Sequence, residues 1–125
     1  MQTSNKDRHI LTHIIEYCDR TKEALFKIGS INNLFSSAFN QDALSMPLLQ
    51  IGELVRNMTD ETKERYSHIP WIEIRALRNV LVHSYGEIDW EKIWDTAVND
   101  IPKLKEECLE IQKDLEPKQS KGFSR

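Results

Sequence analysis

The 125-residue chain has little of what breaks regular structure. Four glycines and four prolines are too few for a turn-rich all-β fold. Only two cysteines occur, Cys18 and Cys108, and their spacing and neighbours suggest neither a metal site nor a catalytic thiol. Both continue apolar helical stripes, so they read as buried free thiols of a reducing compartment. No apolar run approaches the roughly 20 residues that span a bilayer, and Met1 to Lys6 does not resemble a signal peptide. The expected location is the cytoplasm. A net charge of −3 and a pI near 5.8 argue against broad electrostatic capture of nucleic acid, though a local basic site remains open.

What remains is the balance of a soluble helical protein, with 39% apolar and 30% charged residues. A chain of this length folds as one domain that buries roughly two thirds of its unfolded surface. Ile10, Ile14, Tyr17, Thr21, Ala24 and Ile28 alternate by four and three, the mark of a helix facing a bundle. This first helix starts near Ser4 or Asn5 and ends at Gly29-Ser30. His9 and His13 lie one turn apart, a spacing able to hold a metal; without a convincing third ligand they read as solvent-facing. Ile31 to Asn40 suggests a short helical turn or packed loop.

Leu44, Leu48, Ile51, Val55 and Met58 mark a second helix. Pro47 places its start either at Ser45, with proline in the first turn, or near Asp42 with a kink. Gly52 costs helix propensity but permits close helix–helix approach. A polar connection follows, with one helical turn around Asp60–Arg65. Pro70 opens a third helix, with Ile74, Leu77 and Leu81 inward and Gly86 at its end. Asp89 caps a fourth, carrying Trp90, Trp94, Ala97, Ile101, Leu104, Cys108, Ile111 and Leu115 and kinked near Val98 by Pro102. Trp71, Trp90 and Trp94 read as core. The predicted fold is all-α: an up-and-down four-helix bundle over residues 1–116, with room for a short fifth helix, then a frayed tail at 117–125.

The third helix holds the unusual stretch, Arg78-Asn79-Val80-Leu81-Val82-His83-Ser84-Tyr85. At roughly 100° per residue, Arg78, Val82 and Tyr85 flank the core direction on one side, while Asn79 and His83 face outward. Mixed with Val80 and Val82, these residues make a surface better suited to a second copy or another protein than to water. Histidine moves protons near neutral pH, and arginine holds phosphate and stabilises developing negative charge. Together they suffice for metal-independent RNA cleavage, with the 2′-OH as nucleophile and a second histidine from a symmetry mate. Spacing alone is a weak signal, since Arg and His co-occur on many helices, and by itself it favours a structural arginine paired with an acid and a histidine capping the helix end. Tyr85 alone reads as a core-edge aromatic; Arg75 and Lys92 could add local positive charge.

Arg78 to Tyr85 has the pattern Arg-x4-His-x-Tyr. With Ile51-Gly52-Glu53, Ile69-Pro70-Trp71, Leu77-Arg78-Asn79, Val82-His83-Ser84-Tyr85, Ile93-Trp94 and Ile101-Pro102-Lys103-Leu104-Lys105, the chain resembles the HepT toxins of the HEPN superfamily over roughly residues 7 to 115. The resemblance implies a helical bundle that pairs as a homodimer and brings two Arg-x4-His motifs to one cleft. The implied activity is a metal-independent endoribonuclease, needing no cofactor, that acts on cellular RNA as the toxin of a type VII-like toxin–antitoxin pair. Arg78 and His83 would be catalytic and Asn79 would shape the site. The implied partner is an MntA-like minimal nucleotidyltransferase antitoxin that transfers AMP from ATP to Tyr85. A competing expectation is a non-catalytic HEPN module that binds nucleotide or serves as a nucleotidyltransferase's substrate-binding partner.

Overall fold

The computed structural model describes residues 5–83 and 86–115. Among them there is no strand. The helices are α1 (Asn5–Ile28), α2 (Ile31–Ser36), α3 (Ala38–Arg56), α4 (Asp60–Arg65), α5 (Trp71–His83), α6 (Trp90–Asp95) and α7 (Ile101–Leu115). The long helices α1, α3, α5 and α6–α7 form the expected all-α bundle, and no described helix is long and apolar enough to cross a membrane.

Local chemistry sets the boundaries. Gly29 takes a left-handed backbone, φ +90°, and its N–H donates to the Leu25 carbonyl at 2.9 Å, closing α1. The Ser30 hydroxyl accepts from the Asn33 N–H at 3.2 Å to cap α2, and Asp89 accepts from the Lys92 N–H at 3.1 Å to cap α6. Both proposed starts for the second helix are corrected. α3 begins at Ala38, because Ser37 accepts from the Asn40 N–H at 3.1 Å. Pro47 is therefore neither in a first turn nor five residues past a start at Asp42: it is buried well inside α3. A good cap upstream and apolar burial of the ring outweigh the one ladder bond that proline cannot make. Pro102 disturbs the last helix where expected. The disturbance takes the form of a π-helical turn, Thr96–Asp100, between α6 and α7, which widens the ladder ahead of a residue that has no N–H to give.

α3 lies between α1 and α5, and α1 lies between α3 and α7. The stripes read from the sequence meet in one core. Ile14, Leu44, Leu48, Ile51 and Val55 have no exposed surface, and Leu11 is equally buried although it lies beside its stripe. Trp71 is buried, while Trp90 and Trp94 pack half-buried against the core. Cys18 and Cys108 are buried free thiols. Burial pushes the Cys18 thiol up from its ordinary 9.0 to about 12, with the Asp19 charge adding to the rise, and burial also raises that of Cys108.

Among the described residues, one fully buried side chain is a carboxylate. Asp7, in the first turn of α1, has no exposed surface; it accepts from the Thr59 N–H at 3.1 Å, the Thr59 hydroxyl and the Thr62 hydroxyl at 2.6 Å. It thereby ties the start of α1 to the α3–α4 junction. His9 and His13 stack 6.1 Å apart on the exposed side of α1, where His13 pairs with Glu16 at 3.2 Å.

Candidate functional site

α5 is built from Pro70 onward, with Trp71, Ile74 and Leu77 turned inward. Its contact with α3 is unusually close at one point. A Cβ on Gly52 would come within 2.8 Å of the Arg78 backbone nitrogen, 3.1 Å of the Arg78 Cβ and 3.2 Å of the Arg75 carbonyl. Only glycine lets the two helices touch here. The close approach falls at the arginine of the Arg-x4-His pattern.

The next residue on α3 uses that proximity. Glu53 Oε1 lies 3.2 Å from Arg78 Nε, and both side chains are about a third exposed (35%). The other carboxylate oxygen, Oε2, accepts from Arg56 Nη1 at 3.1 Å. Arg78 Nη1 in turn donates to Asn79 Oδ1 at 3.4 Å. A guanidinium has five N–H donors, so the outer edge of Arg78 keeps donors for an anion.

Arg78 and Asn79 are thus brought together, and Glu53 joins them. His83 is not part of this cluster. It is the last residue of α5 and exposed, and five residues along a helix place it roughly 140° around and roughly 7.5 Å along the axis from Arg78. Tyr85 lies outside the described residues. Arg75 is exposed on α5. Lys92 lines a groove of about 740 Å³ between α5 and α6–α7, with Ile74, Leu77, Val80, Ile93 and Leu104 in its walls. That groove runs along the other flank of α5 and is lined by neither Arg78 nor His83. The role of Glu53 was missed in the sequence, where it stood only as part of a family pattern; the available signal was a carboxylate directly after a glycine inside an apolar stripe.

Among the described residues no three His, Cys, Asp or Glu side chains gather as a metal site. The chain's residues 14–111 match the family model described as Ribonuclease HepT-like. The chain belongs to the HepT-like ribonuclease family. Relatives of this HepT-like chain span archaea and bacteria. It is 35% identical over 114 residues to a "Gamma-glutamylcyclotransferase and putative RNase" of Methanocaldococcus jannaschii, covering 91% of this chain and 51% of that protein. It is 32% identical over 109 residues to a "Putative RNase" of Caldanaerobacter subterraneus subsp. tengcongensis, covering 83% of this chain and 92% of that one. A "Probable ribonuclease HepT" of Thermococcus cleftensis is 30% identical over 113 residues, 90% of this chain and all of that protein (100%). The HepT-like chain therefore spans about half the length of the first of these relatives and nearly all of the other two. No solved structure gives a significant match.

Proposed function

We propose that this chain is a toxin ribonuclease that cleaves RNA without a metal ion, using Arg78 and His83 at a cleft shared by two copies. The carrying observation is the state of Arg78. The Glu53 pair alone would suit an arginine that merely joins two helices, but 35% of the side chain remains open to solvent in a chain of the HepT-like ribonuclease family. That exposed part leaves guanidinium donors free to meet a phosphate.

The chemistry follows from the groups. The 2′-oxygen of a ribose attacks the adjacent phosphorus; the P–O2′ bond forms, the P–O5′ bond breaks, and a 2′,3′-cyclic phosphate and a 5′-hydroxyl result. Arg78 donates to the phosphate oxygens and offsets the charge that grows on them. His83 removes the 2′ proton or supplies one to the leaving 5′-oxygen. One histidine cannot hold both positions at once, and Arg78 and His83 of one helix diverge. Two copies related by a two-fold axis through the α5 surface supply both histidines. The exposed Ile72 and Val80 on α5 suit such a contact better than water. Asn79 holds one edge of the guanidinium and shapes the cleft.

Silencing is assigned to an MntA-like nucleotidyltransferase partner that adds AMP to Tyr85, two residues beyond His83, where an added phosphate would repel RNA. Intact-mass spectrometry after incubation with that partner, ATP and Mg²⁺ tests it: a mass gain of AMP multiples on wild type that Tyr85→Phe lacks supports the site, and the same gain on Tyr85→Phe overturns it. For the nuclease, RNA cleavage in EDTA should fall by about 100- to 10,000-fold in His83→Ala with the helical circular dichroism intact. Cleavage that survives both His83→Ala and Arg78→Ala would sink the assignment. Failure of the wild type to cleave RNA at any dose, with a stable nucleotidyltransferase complex, would favour a non-catalytic binding module.

A further inference from the structure

We infer that Glu53 is the positioning residue of the site: it fixes the Arg78 guanidinium by its Nε edge so that the Nη edge faces substrate. The inference rests on the nuclease reading above. Three independent features of α3 support it. Glu53 Oε1 is shielded from solvent and has no donor in good hydrogen-bond geometry, although Arg78 Nε stands 3.2 Å away. A shielded carboxylate oxygen with a single cation beside it is held by that cation and restrains it in return. Glu53 is also fixed from its far side, since Arg56 Nη1 binds Oε2 at 3.1 Å; the carboxylate bridges two guanidinium groups and is not free to follow Arg78 when it moves. Finally, Gly52 removes the one Cβ that would hold α3 and α5 apart at this point, so the distance from Glu53 to Arg78 is set by backbone contact.

The division of donors gives the arrangement its consequence. Glu53 takes the Nε side and Asn79 takes one Nη1 donor. What is left is one Nη1 donor and the two Nη2 donors, a fork able to meet two phosphate oxygens. Glu53 does not touch the reacting atoms, and its effect is on where Arg78 points. It should therefore act on the chemical step more than on capture of RNA, because a misdirected arginine still attracts phosphate but no longer meets the charge where it develops.

The test compares wild type, Glu53→Gln and Glu53→Ala in three measurements: steady-state cleavage of a defined RNA oligonucleotide, thermal melting, and the Arg78 Nε–Hε signal in ¹⁵N NMR, assigned with Arg78→Lys. Glu53→Ala should lower kcat by about 10- to 100-fold with KM changed by less than about threefold, and the Arg78 Hε signal should move or broaden into exchange with water. Glu53→Gln, which keeps an acceptor oxygen of the same shape, should recover part of both. A kcat within about twofold of wild type in a folded Glu53→Ala protein, or an Hε signal unmoved by the substitution, overturns the inference. A rise in KM with kcat intact also overturns it, since that pattern belongs to a residue that only sets local charge. If wild type does not cleave RNA, the nuclease reading fails instead, and the Hε signal alone decides whether Glu53 holds Arg78.

Discussion

Asp7 and Glu53 are both carboxylates that join one helix to the next, but they sit in opposite environments. Asp7 has no exposed surface, and its oxygens accept from the Thr59 N–H and from the hydroxyls of Thr59 and Thr62. Glu53 is about a third exposed (35%), faces two arginines, and has one shielded oxygen with no well-formed hydrogen bond. Donors that converge on an enclosed carboxylate make a closed joint. Cations around a half-open anion leave donors over. The first arrangement suits a fold, and the second suits a site.

The largest expected effect breaks the closed joint. Asp7→Ala removes the acceptor and leaves the buried Thr62 hydroxyl and the half-buried Thr59 hydroxyl and N–H without it, at about 3 kcal/mol by the usual range for charged hydrogen bonds and stranded donors. For a domain of this size that is a fall in melting temperature of about 12 °C. RNA cleavage by the remaining folded protein at low temperature should stay near wild type, since the Asp7 bonds to Thr59 and Thr62 set the α3–α4 junction, whereas Arg78 is placed by Gly52 and Glu53. A melting temperature within about 2 °C of wild type would show that the joint carries no net stability. Glu53→Ala should reverse this profile, with little change in melting and a large change in turnover.

Gly52→Ala is the next largest, and it strikes both properties at once. The added Cβ meets the Arg78 backbone nitrogen at 2.8 Å, and backbone cannot swing aside as a side-chain tip can. The helices must part by several tenths of an ångström, a packing change of about 2 kcal/mol, and Arg78 shifts relative to Glu53. Loss of both stability and cleavage is expected in melting and oligonucleotide assays. An unchanged melting temperature would mean that the α3–α5 contact is softer than its geometry.

Much of this contrast was legible before any coordinates. The four-three stripes of Ile10, Ile14, Leu48, Ile51, Val55, Leu104 and Ile111 report burial directly, because a helix that packs on one side must repeat its apolar residues at that period. Asp89, Pro70 and Gly29 are local signals read within a few residues of the boundary they set. Asp7 gave no signal, since its acceptors are used 52 and 55 residues away and no short-range pattern encodes that. Glu53 was half legible: Gly52 foretold a close contact, but not that Arg78 would be on the other side of it. The start of α3 was misread because Pro47 was weighed as a helix signal while the Ser37 cap was overlooked.

The buried Cys18 thiol reports on the helix that carries the Asp7 joint. Cys18 shares α1 with Asp7, and burial holds its thiol near 12 against an ordinary 9.0. In the unfolded chain the thiol ionises from pH 9 upward, while in the folded chain it stays protonated until about pH 12. Its contribution to stability is therefore complete below pH 9 and is lost as pH rises toward 12. Unfolding midpoints should fall over that window and fall less in Cys18→Ala; a parallel fall in both would remove Cys18 as the cause. At pH 8, labelling by a thiol reagent should be slow in wild type and Glu53→Ala and faster in Asp7→Ala, because only the last opens the end of α1.

Arg56→Ala is expected to have the smallest effect and separates the two kinds of joint most finely. Its side chain is half exposed (52%) and contacts Glu53 through one bond at 3.1 Å, so its removal should change stability by less than about 0.5 kcal/mol. If Glu53 is simply a partner for Arg78, losing Arg56 strengthens the Glu53–Arg78 attraction and cleavage stays the same. If Glu53 works because it is pinned from both sides, its carboxylate gains freedom and turnover falls by about two- to fivefold, with melting unaltered. A loss of turnover without a loss of stability is the signature of a residue whose purpose is to hold another one still.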